Sequence, residues 1–254
     1  MLPRARKRFG QHFLTDRHYV RRIVEAIGAK SGDSMVEIGP GTGILTAELV
    51  PALERLHVIE IDRDLAAGLA RAYPPDKLIV HQADALEFDF VKLPAPLRVV
   101  GNLPYNVSTP ILFRVAEIAD RVRDATFMLQ KEVVERMVAA PDTEAYGRLS
   151  VMLQYRFAMS LLFRVPPGAF TPPPKVDSAV VLMKPLGADR PRAADEERFA
   201  KIVAAAFSQR RKTLRNAVRA LAGEEAFRAT GIDPQRRGET LSVREFIALA
   251  DAAA

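Results

Sequence analysis

The feature that most constrains this chain is a repeated alternation of short apolar segments with amphipathic helical ones, interrupted early by the run Gly39-Pro40-Gly41-Thr42-Gly43. Met35-Val36-Glu37-Ile38 has the length and composition of a buried strand, the glycines end it, and residues 44–53 read as a helix. The rhythm continues with strand 56–61, helix 63–72, strands 77–80 and 97–100, helix 108–119, strand 125–129 and helix 131–139. An apolar segment at 148–157 and strands near 160–165 and 178–183 complete this part, and Tyr19, Ile23, Val24 and Ile27 mark a helix before it. Strands joined through helices become parallel neighbours, because the crossover returns the chain to the edge where it began. The fold class expected is therefore α/β with a mainly parallel sheet. Only a loop separates the last two strands, which predicts an antiparallel hairpin there.

Around residues 185–194 the composition turns to Pro, Gly and charge, which predicts a linker. Beyond it the only periodicity is helical: Phe199, Ile202, Val203 and Ala206 form one stripe, Leu214, Val218 and Leu221 a second, and Val243, Phe246, Ile247 and Leu249 a third. The expected division is an α/β domain over residues 1–186 and a small all-helical domain over 187–254. A chain of 254 residues, 48% hydrophobic, suffices for one sizeable core and a smaller second one.

Several chemistries are excluded by composition. With no cysteine there is no disulfide, thiolate metal site or thiol nucleophile, and the four histidines (His12, His18, His57, His81) have no metal-ligand spacing. No run of 18 apolar residues spans a bilayer, and the basic start lacks the apolar core of a secretory signal, so a cytoplasmic protein with no membrane partner and no metal is expected. The net charge of +6 is concentrated in two places. Arg4, Arg6, Lys7, Arg8, Arg17, Arg21 and Arg22 crowd the beginning, and Arg210, Arg211, Lys212, Arg215 and Arg219 follow one another with no acid between them. A solvated helix face explains either cluster alone; two such clusters favour a polyanionic partner, namely nucleic acid.

Gly39–Gly43 lies at a strand-to-helix turn, where glycine lets backbone approach a ligand closely. A dinucleotide fingerprint would place its third glycine at position 44, which is Ile44. G-x-G-x-G is instead the pattern of S-adenosylmethionine sites, in which Gly39 and Gly41 approach the ligand and the helix N-terminus attracts its carboxylate. A ligand-free tight turn would use the same glycines. Glu60, 17 residues after Gly43 and near the end of the next strand, is placed to accept from both ribose hydroxyls, in preference to Asp62. Asp84, after strand 77–80, is placed equally well for an adenine amino group or for a turn.

Asn102-Leu103-Pro104-Tyr105 directly follows strand 97–100 and is the most specific signal. An aromatic amine is a poor nucleophile because its lone pair is delocalised into the ring. Two acceptors gripping its hydrogens, the Asn102 side-chain oxygen and the Pro104 carbonyl, would localise that pair, while Tyr105 stacks on the base. Proline stiffens the turn. No general base is needed before attack, because the proton leaves once nitrogen has become cationic. Phe170, in the proline-rich loop Gly168-Ala169-Phe170-Thr171-Pro172-Pro173-Pro174, offers a second wall for the base, or else plugs the edge of the core.

Through these motifs the chain resembles the ribosomal RNA adenine N6,N6-dimethyltransferases, most of all the bacterial small-subunit (16S) type. The resemblance runs through residues 6–14 (RKRFGQHFL), Val36–Gly43, Asn102–Tyr105, residues 129–133 (LQKEV), residues 170–180 (FTPPPKVDSAV) and residues 209–216 (QRRKTLRN). It implies a Rossmann-like class I methyltransferase domain with a small helical domain that helps to engage RNA. S-adenosylmethionine is the implied cofactor, and two methyl groups go to N6 of each of two adjacent adenosines in a hairpin loop near the RNA 3′ end. The implied partner is small-subunit RNA in a 30S precursor, met by a monomer. Cofactor contacts are implied for His12, Leu14, Gly39, Glu60, Asp84 and Asn102, with Tyr105 and Phe170 around the base. Many relatives carry Asn at the position of His12, which leaves backbone contacts there unaffected. The basic candidates for RNA are Arg6, Lys7, Arg8, Arg210, Arg211, Lys212 and Arg215. Large-subunit resistance methylases share the Asn-Leu-Pro-Tyr site, and a non-catalytic RNA-binding assembly factor would use the same basic clusters; these are the rival readings, with DNA adenine methylation behind them.

Overall fold

The structure, a computed structural model, describes residues 12–209 and 211–253. The chain forms two compact units, one running to Val134 and resuming over Met159–Pro185, the other comprising Glu135–Ala158 and the chain from Leu186 on.

In the first unit β1 (Phe13–Leu14) leads into α1 (Arg17–Ile27), whose N-terminus is capped by Asp16 accepting the His18 N–H at 2.8 Å. There follow β2 (Ser34–Ile38), α2 (Ile44–Leu49), β3 (Leu56–Glu60), α3 (Arg63–Ala72), β4 (Leu78–Gln82), β5 (Leu97–Asn102), α4 (Ser108–Glu117) and β6 (Val122–Gln130). β2 and β5 are near-continuous buried runs, as expected of parallel strands covered on both faces. α2 stops well short of residue 53, because Pro51 lacks the N–H the next helical turn requires, and the segment Val50–Ala52 tightens into a 3-10 turn.

After α5 (Lys131–Val138) and α6 (Arg148–Gln154), the chain returns through β7 (Phe157–Val165), β8 (Phe170–Thr171) and β9 (Ser178–Pro185). The seven-stranded sheet has the order β4-β3-β2-β5-β6-β9-β7. Pairings from β4 through β6 are parallel and β9 runs antiparallel to β6. β7 and β9 are neighbours, as the short connection between them predicted. β1 pairs with β8, Leu14 facing Phe170, and the Ala169 carbonyl accepts the Thr15 N–H at 2.8 Å.

This order sets the site. β2 has β3 on one side and β5 on the other, so the direction of winding reverses between β2 and β5. A crevice opens where helices leave such a point in opposite directions, beyond the carboxyl ends of the two strands. Gly39 follows β2 and Leu103 follows β5 at those ends. The strands come close because Gly101 has no side chain: a Cβ there would lie 2.4 Å from the Ile38 carbonyl oxygen.

The second unit is helical, with α6, α7 (Glu196–Ser208), α8 (Leu214–Val218), α9 (Glu224–Thr230) and α10 (Val243–Ala252). Phe199, Ile202, Val203, Ala206, Leu214, Val218, Phe246 and Leu249 of the three sequence stripes are buried in its core. The chain passes from one unit to the other at Pro185/Leu186, one residue from the expected boundary, but the first unit is not continuous up to it. Tyr146, Val151 and Tyr155 belong to this core, and the Tyr146 hydroxyl donates to the Leu241 carbonyl at 2.9 Å, so residues 135–158 go with the C-terminal helices. Apolar spacing reveals that a helix has a buried face but not which core receives it.

Candidate active site

One cavity lies at the carboxyl ends of β2, β3, β4 and β5, with β1 also against it. His12, Phe13 and Leu14 line it at β1, Gly39–Thr42 from the glycine turn, Glu60 at the end of β3 with Ile61 after it, Ala83, Asp84 and Ala85 after β4, and Asn102 at the end of β5 with 103–107 after it. Its walls are mainly apolar (Ile38, Leu45, Ile59, Leu103, Ile111), with a few polar groups among them, the composition of a small-molecule site.

Gly41 has φ of 59°, where a side chain is strained, and an added Cβ would lie 3.3 Å from the Phe13 ring. Its N–H donates to Glu60 Oε2 at 3.0 Å, while Oε1 accepts the Asp62 N–H at 2.9 Å. The carboxylate is thereby held rigid at the cavity wall, each oxygen retaining acceptor capacity. Burial raises the Glu60 carboxyl above its ordinary pKa against the opposing effect of those two N–H groups. Asp62 caps α3, accepting the Asp64 N–H at 3.0 Å, and is absent from the cavity lining. Asp84 does both things its position suggested: it lines the cavity, and Oδ1 accepts the Leu86 N–H at 2.9 Å in a turn.

Asn102 ends β5, and its side-chain amide donates from Nδ2 to the His12 carbonyl at 3.2 Å. With nitrogen committed to that carbonyl, Oδ1 is the group left to accept a hydrogen bond from anything entering. The Pro104 carbonyl accepts the Val107 N–H at 3.2 Å and keeps a second lone pair. Tyr105 follows, its hydroxyl 2.6 Å from Ser178 Oγ and its own carbonyl accepting from Ser108 Oγ at 3.2 Å. Burial keeps this phenol neutral by raising its pKa, with Ser178 opposing and the Asp177 charge adding to the rise. The arrangement sets two acceptors and a flat aromatic face beside a glycine-floored cavity.

The family-model match is as extensive as this geometry is specific: the model of the ribosomal RNA adenine dimethylases covers residues 3–254. The chain belongs to that family. It is accordingly a methyltransferase of ribosomal RNA adenine, and the family implies a methyl donor of the S-adenosylmethionine type. The ribosomal RNA small subunit methyltransferase A of Aromatoleum aromaticum is 61% identical over 246 residues, 97% of this chain and 93% of that protein. Among solved structures, a dimethyladenosine transferase from Plasmodium falciparum is similar with a TM-score of 0.78 at 25% identity, over 94% of this chain and 96% of that one. The 23S rRNA methyltransferase ErmE is similar with a TM-score of 0.73 at 25% identity, over 94% of this chain and 98% of that one.

Within this dimethylase not every residue expected at the site is brought there. Phe170 is buried in the core with Leu14, Ala169 and Val180 and does not line the cavity. The aromatic ring that faces Tyr105 is His12, at 5.6 Å between centroids and 29° between planes, with Nδ1 2.8 Å from the Pro172 carbonyl oxygen. Pairing of β8 with β1 turns Phe170 inward, a consequence of register that loop composition does not encode. Phe13, Ile61 and Ile111 are cavity residues that sequence reasoning missed, although the position of Ile61 directly after Glu60 was a usable signal. Of the basic candidates, Arg6, Lys7, Arg8 and Arg210 lie outside the described residues. Arg211, Lys212 and Arg215 are exposed on the second unit. Arg215 is not a free charge: its Nε is 2.7 Å from Glu224, an acid outside the basic run.

Proposed function

We propose that this dimethylase transfers methyl groups from S-adenosylmethionine to N6 of two adjacent adenosines in the 3′-terminal hairpin loop of 16S rRNA, giving N6,N6-dimethyladenosines during 30S assembly. The observation that carries the chemistry is the Asn102 amide, whose nitrogen is tied to the His12 carbonyl so that its oxygen is the acceptor presented. The small-subunit target is supported by the name and the 61% identity of the Aromatoleum relative. ErmE, named for 23S rRNA, shares the fold at lower identity.

The cavity fits the donor by its own features: a glycine floor that side chains would obstruct, a rigid carboxylate at one wall, and apolar sides for a planar ring. Gly39 and Gly41 would admit its methionine portion, Glu60 its ribose hydroxyls and Asp84 its adenine amino group, with His12, Leu14 and Asn102 closing over it. When bound, the donor supplies an electrophilic methyl group on a sulfonium. Asn102 Oδ1 and the Pro104 carbonyl then hold the two amino hydrogens of the target adenine and turn the nitrogen lone pair toward the donor side. Tyr105 holds the extruded ring by stacking, and the acceleration comes from position and fixed dipoles. The enzyme works as a cytoplasmic monomer, with Arg6, Lys7, Arg8, Arg210, Arg211, Lys212 and Arg215 on RNA phosphates, so that RNA affinity falls steeply with salt.

The test is mass spectrometry of under-methylated 30S precursor and, in parallel, naked large-subunit RNA after incubation with protein and S-adenosylmethionine. Two methyl groups on each of two neighbouring small-subunit adenosines are expected. Modification confined to large-subunit RNA would transfer the protein to the resistance type. No modification of either RNA, with no heat of cofactor binding, would leave an assembly factor.

A further inference from the structure

We infer that Ser178 is a positioning residue for the methyl transfer, setting the plane of the Tyr105 ring on which the target base is held. The inference rests on the reading of Tyr105 given above and extends it to a residue on a different strand, far from the cavity lining in sequence.

Tyr105 is attached to the site through a turn, not a regular element: it lies between the end of β5 and the start of α4. Its backbone is held by the Ser108 hydroxyl at 3.2 Å, but nothing in that contact sets rotation about the side-chain bonds. His12 covers one face of the ring, and the far end of the ring is fixed in the sheet. The phenol oxygen is 2.6 Å from Ser178 Oγ, and Ser178 is fully buried at the first position of β9, opposite Gln130 of β6. That end of β9 is anchored in turn, since the Asp177 carbonyl accepts the Lys131 N–H at 2.9 Å. The ring is therefore held at both ends, by the β5–α4 turn and by the sheet.

The chemistry requires this. A stacking platform that tilts carries the base with it and swings the amine off the line to the methyl donor, and small misplacements of a reacting atom lower rate more than affinity. Ser178 is fully buried, so removing the phenol oxygen alone leaves its hydroxyl without a partner or solvent, which is costly. A tyrosine here, where phenylalanine would stack as well, is thereby explained: the hydroxyl serves the ring's orientation and touches no reacting atom.

The test compares Ser178→Ala, Tyr105→Phe and the double variant with wild type on under-methylated 30S precursor. A crystal structure of Ser178→Ala accompanies the kinetics. Each single variant is expected to lower kcat by about tenfold, with KM for RNA and cofactor Kd within about threefold of wild type. The double variant is expected to be no slower than the slower single one, because both remove the same bond. Ser178→Thr, which restores a hydroxyl, is expected to recover most of the rate. In the crystal structure the Tyr105 ring should be rotated from its wild-type plane. An unmoved ring, wild-type kcat in Ser178→Ala, multiplicative losses in the double variant, or loss of cofactor affinity in step with kcat would each overturn the inference. Asn102→Ala separates this from the functional reading: a dead Asn102→Ala with a fully active Ser178→Ala sinks only the role of Ser178. If Asn102→Ala is fully active, the site itself has been misread.

Discussion

Strand β5 carries a polar residue near each end, and the two are used in opposite ways. Arg98, near the amino end, is buried, and each of its side-chain nitrogens has a partner. Nε reaches both oxygens of Asp124 at 2.9 and 3.1 Å, Nη1 reaches Asp33 at 2.6 Å and the Gly28 carbonyl at 3.2 Å, and Nη2 reaches the Ile27 carbonyl at 2.5 Å. Burial opposes ionisation of Asp33, but bonds from Arg98 and the Lys30 N–H, with the charges of Arg98 and Arg123, hold its carboxyl below the ordinary value. Asn102, at the carboxyl end, spends one hydrogen on the His12 carbonyl and leaves its oxygen to the cavity. One end of the sheet is closed by saturation and the other is kept unsaturated. Saturation gives stability, and a spare acceptor gives a site for a ligand.

Replacing Arg98 with Met should break that contrast most heavily. Asp33 would keep Arg123 at 2.8 Å, but Asp124 would lose its Arg98 countercharge in a buried position. A loss of about 3–5 kcal/mol in denaturant unfolding is expected, with kcat per folded molecule unchanged. Equal stability would show that the clasp contributes nothing.

Asn102→Ala is the converse at the other end. Turnover should fall by about 10²–10³-fold, the usual cost of removing one preorganised polar contact. The unfolding free energy should change by under about 1 kcal/mol, since no saturated network is lost. A large stability loss with proportionate activity would make the two ends alike.

Glu37 sharpens the comparison, because it is a buried acid near the carboxyl end with a hydroxyl in place of a cation as its partner. Thr46 Oγ1 donates to it at 2.6 Å. Burial pushes its carboxyl up to about 7, with Thr46 opposing and the Glu60 charge adding to the rise. The folded chain thus holds this proton more tightly than the unfolded chain. The resulting stabilisation is full below pH 4.5 and is lost as pH rises through about 7. Glu37→Gln removes that decline. Over the span from 4.5 to about 7, at about 1.4 kcal/mol per pH unit, it should be more stable than wild type at pH 8 by about 3 kcal/mol. Thermal melts at pH 5 and pH 8 check this, and an unchanged pH slope would show that Glu37 is not the group responsible.

The sheet and the glycine turn were legible because buried parallel strands are contiguous apolar runs and because Gly39–Gly43 stands at the end of one. The placement of Asn102-Leu103-Pro104-Tyr105 at the cavity was legible because the four residues directly follow a strand of the parallel sheet. Phe170 was not, since either a base or the core can use an aromatic side chain, and the β1–β8 register chose the core. The isolation of the basic run at Arg215 was misleading for the same kind of reason, as Glu224 reaches it through the packing of short helices.

Sequence alone determined what depends on neighbours along the chain: the alternation of strands and helices, the glycine turn at the end of a strand, and the nearness of an asparagine to a proline carbonyl. Tertiary structure alone decided what depends on partners far apart in the chain. It sent residues 135–158 to the helical core, fastened Arg98 to Asp33 and Asp124, set Ser178 behind Tyr105, and tied the Asn102 amide to the His12 carbonyl. The reason is that local periodicity records which face of an element is buried, whereas strand order and register decide what meets that face.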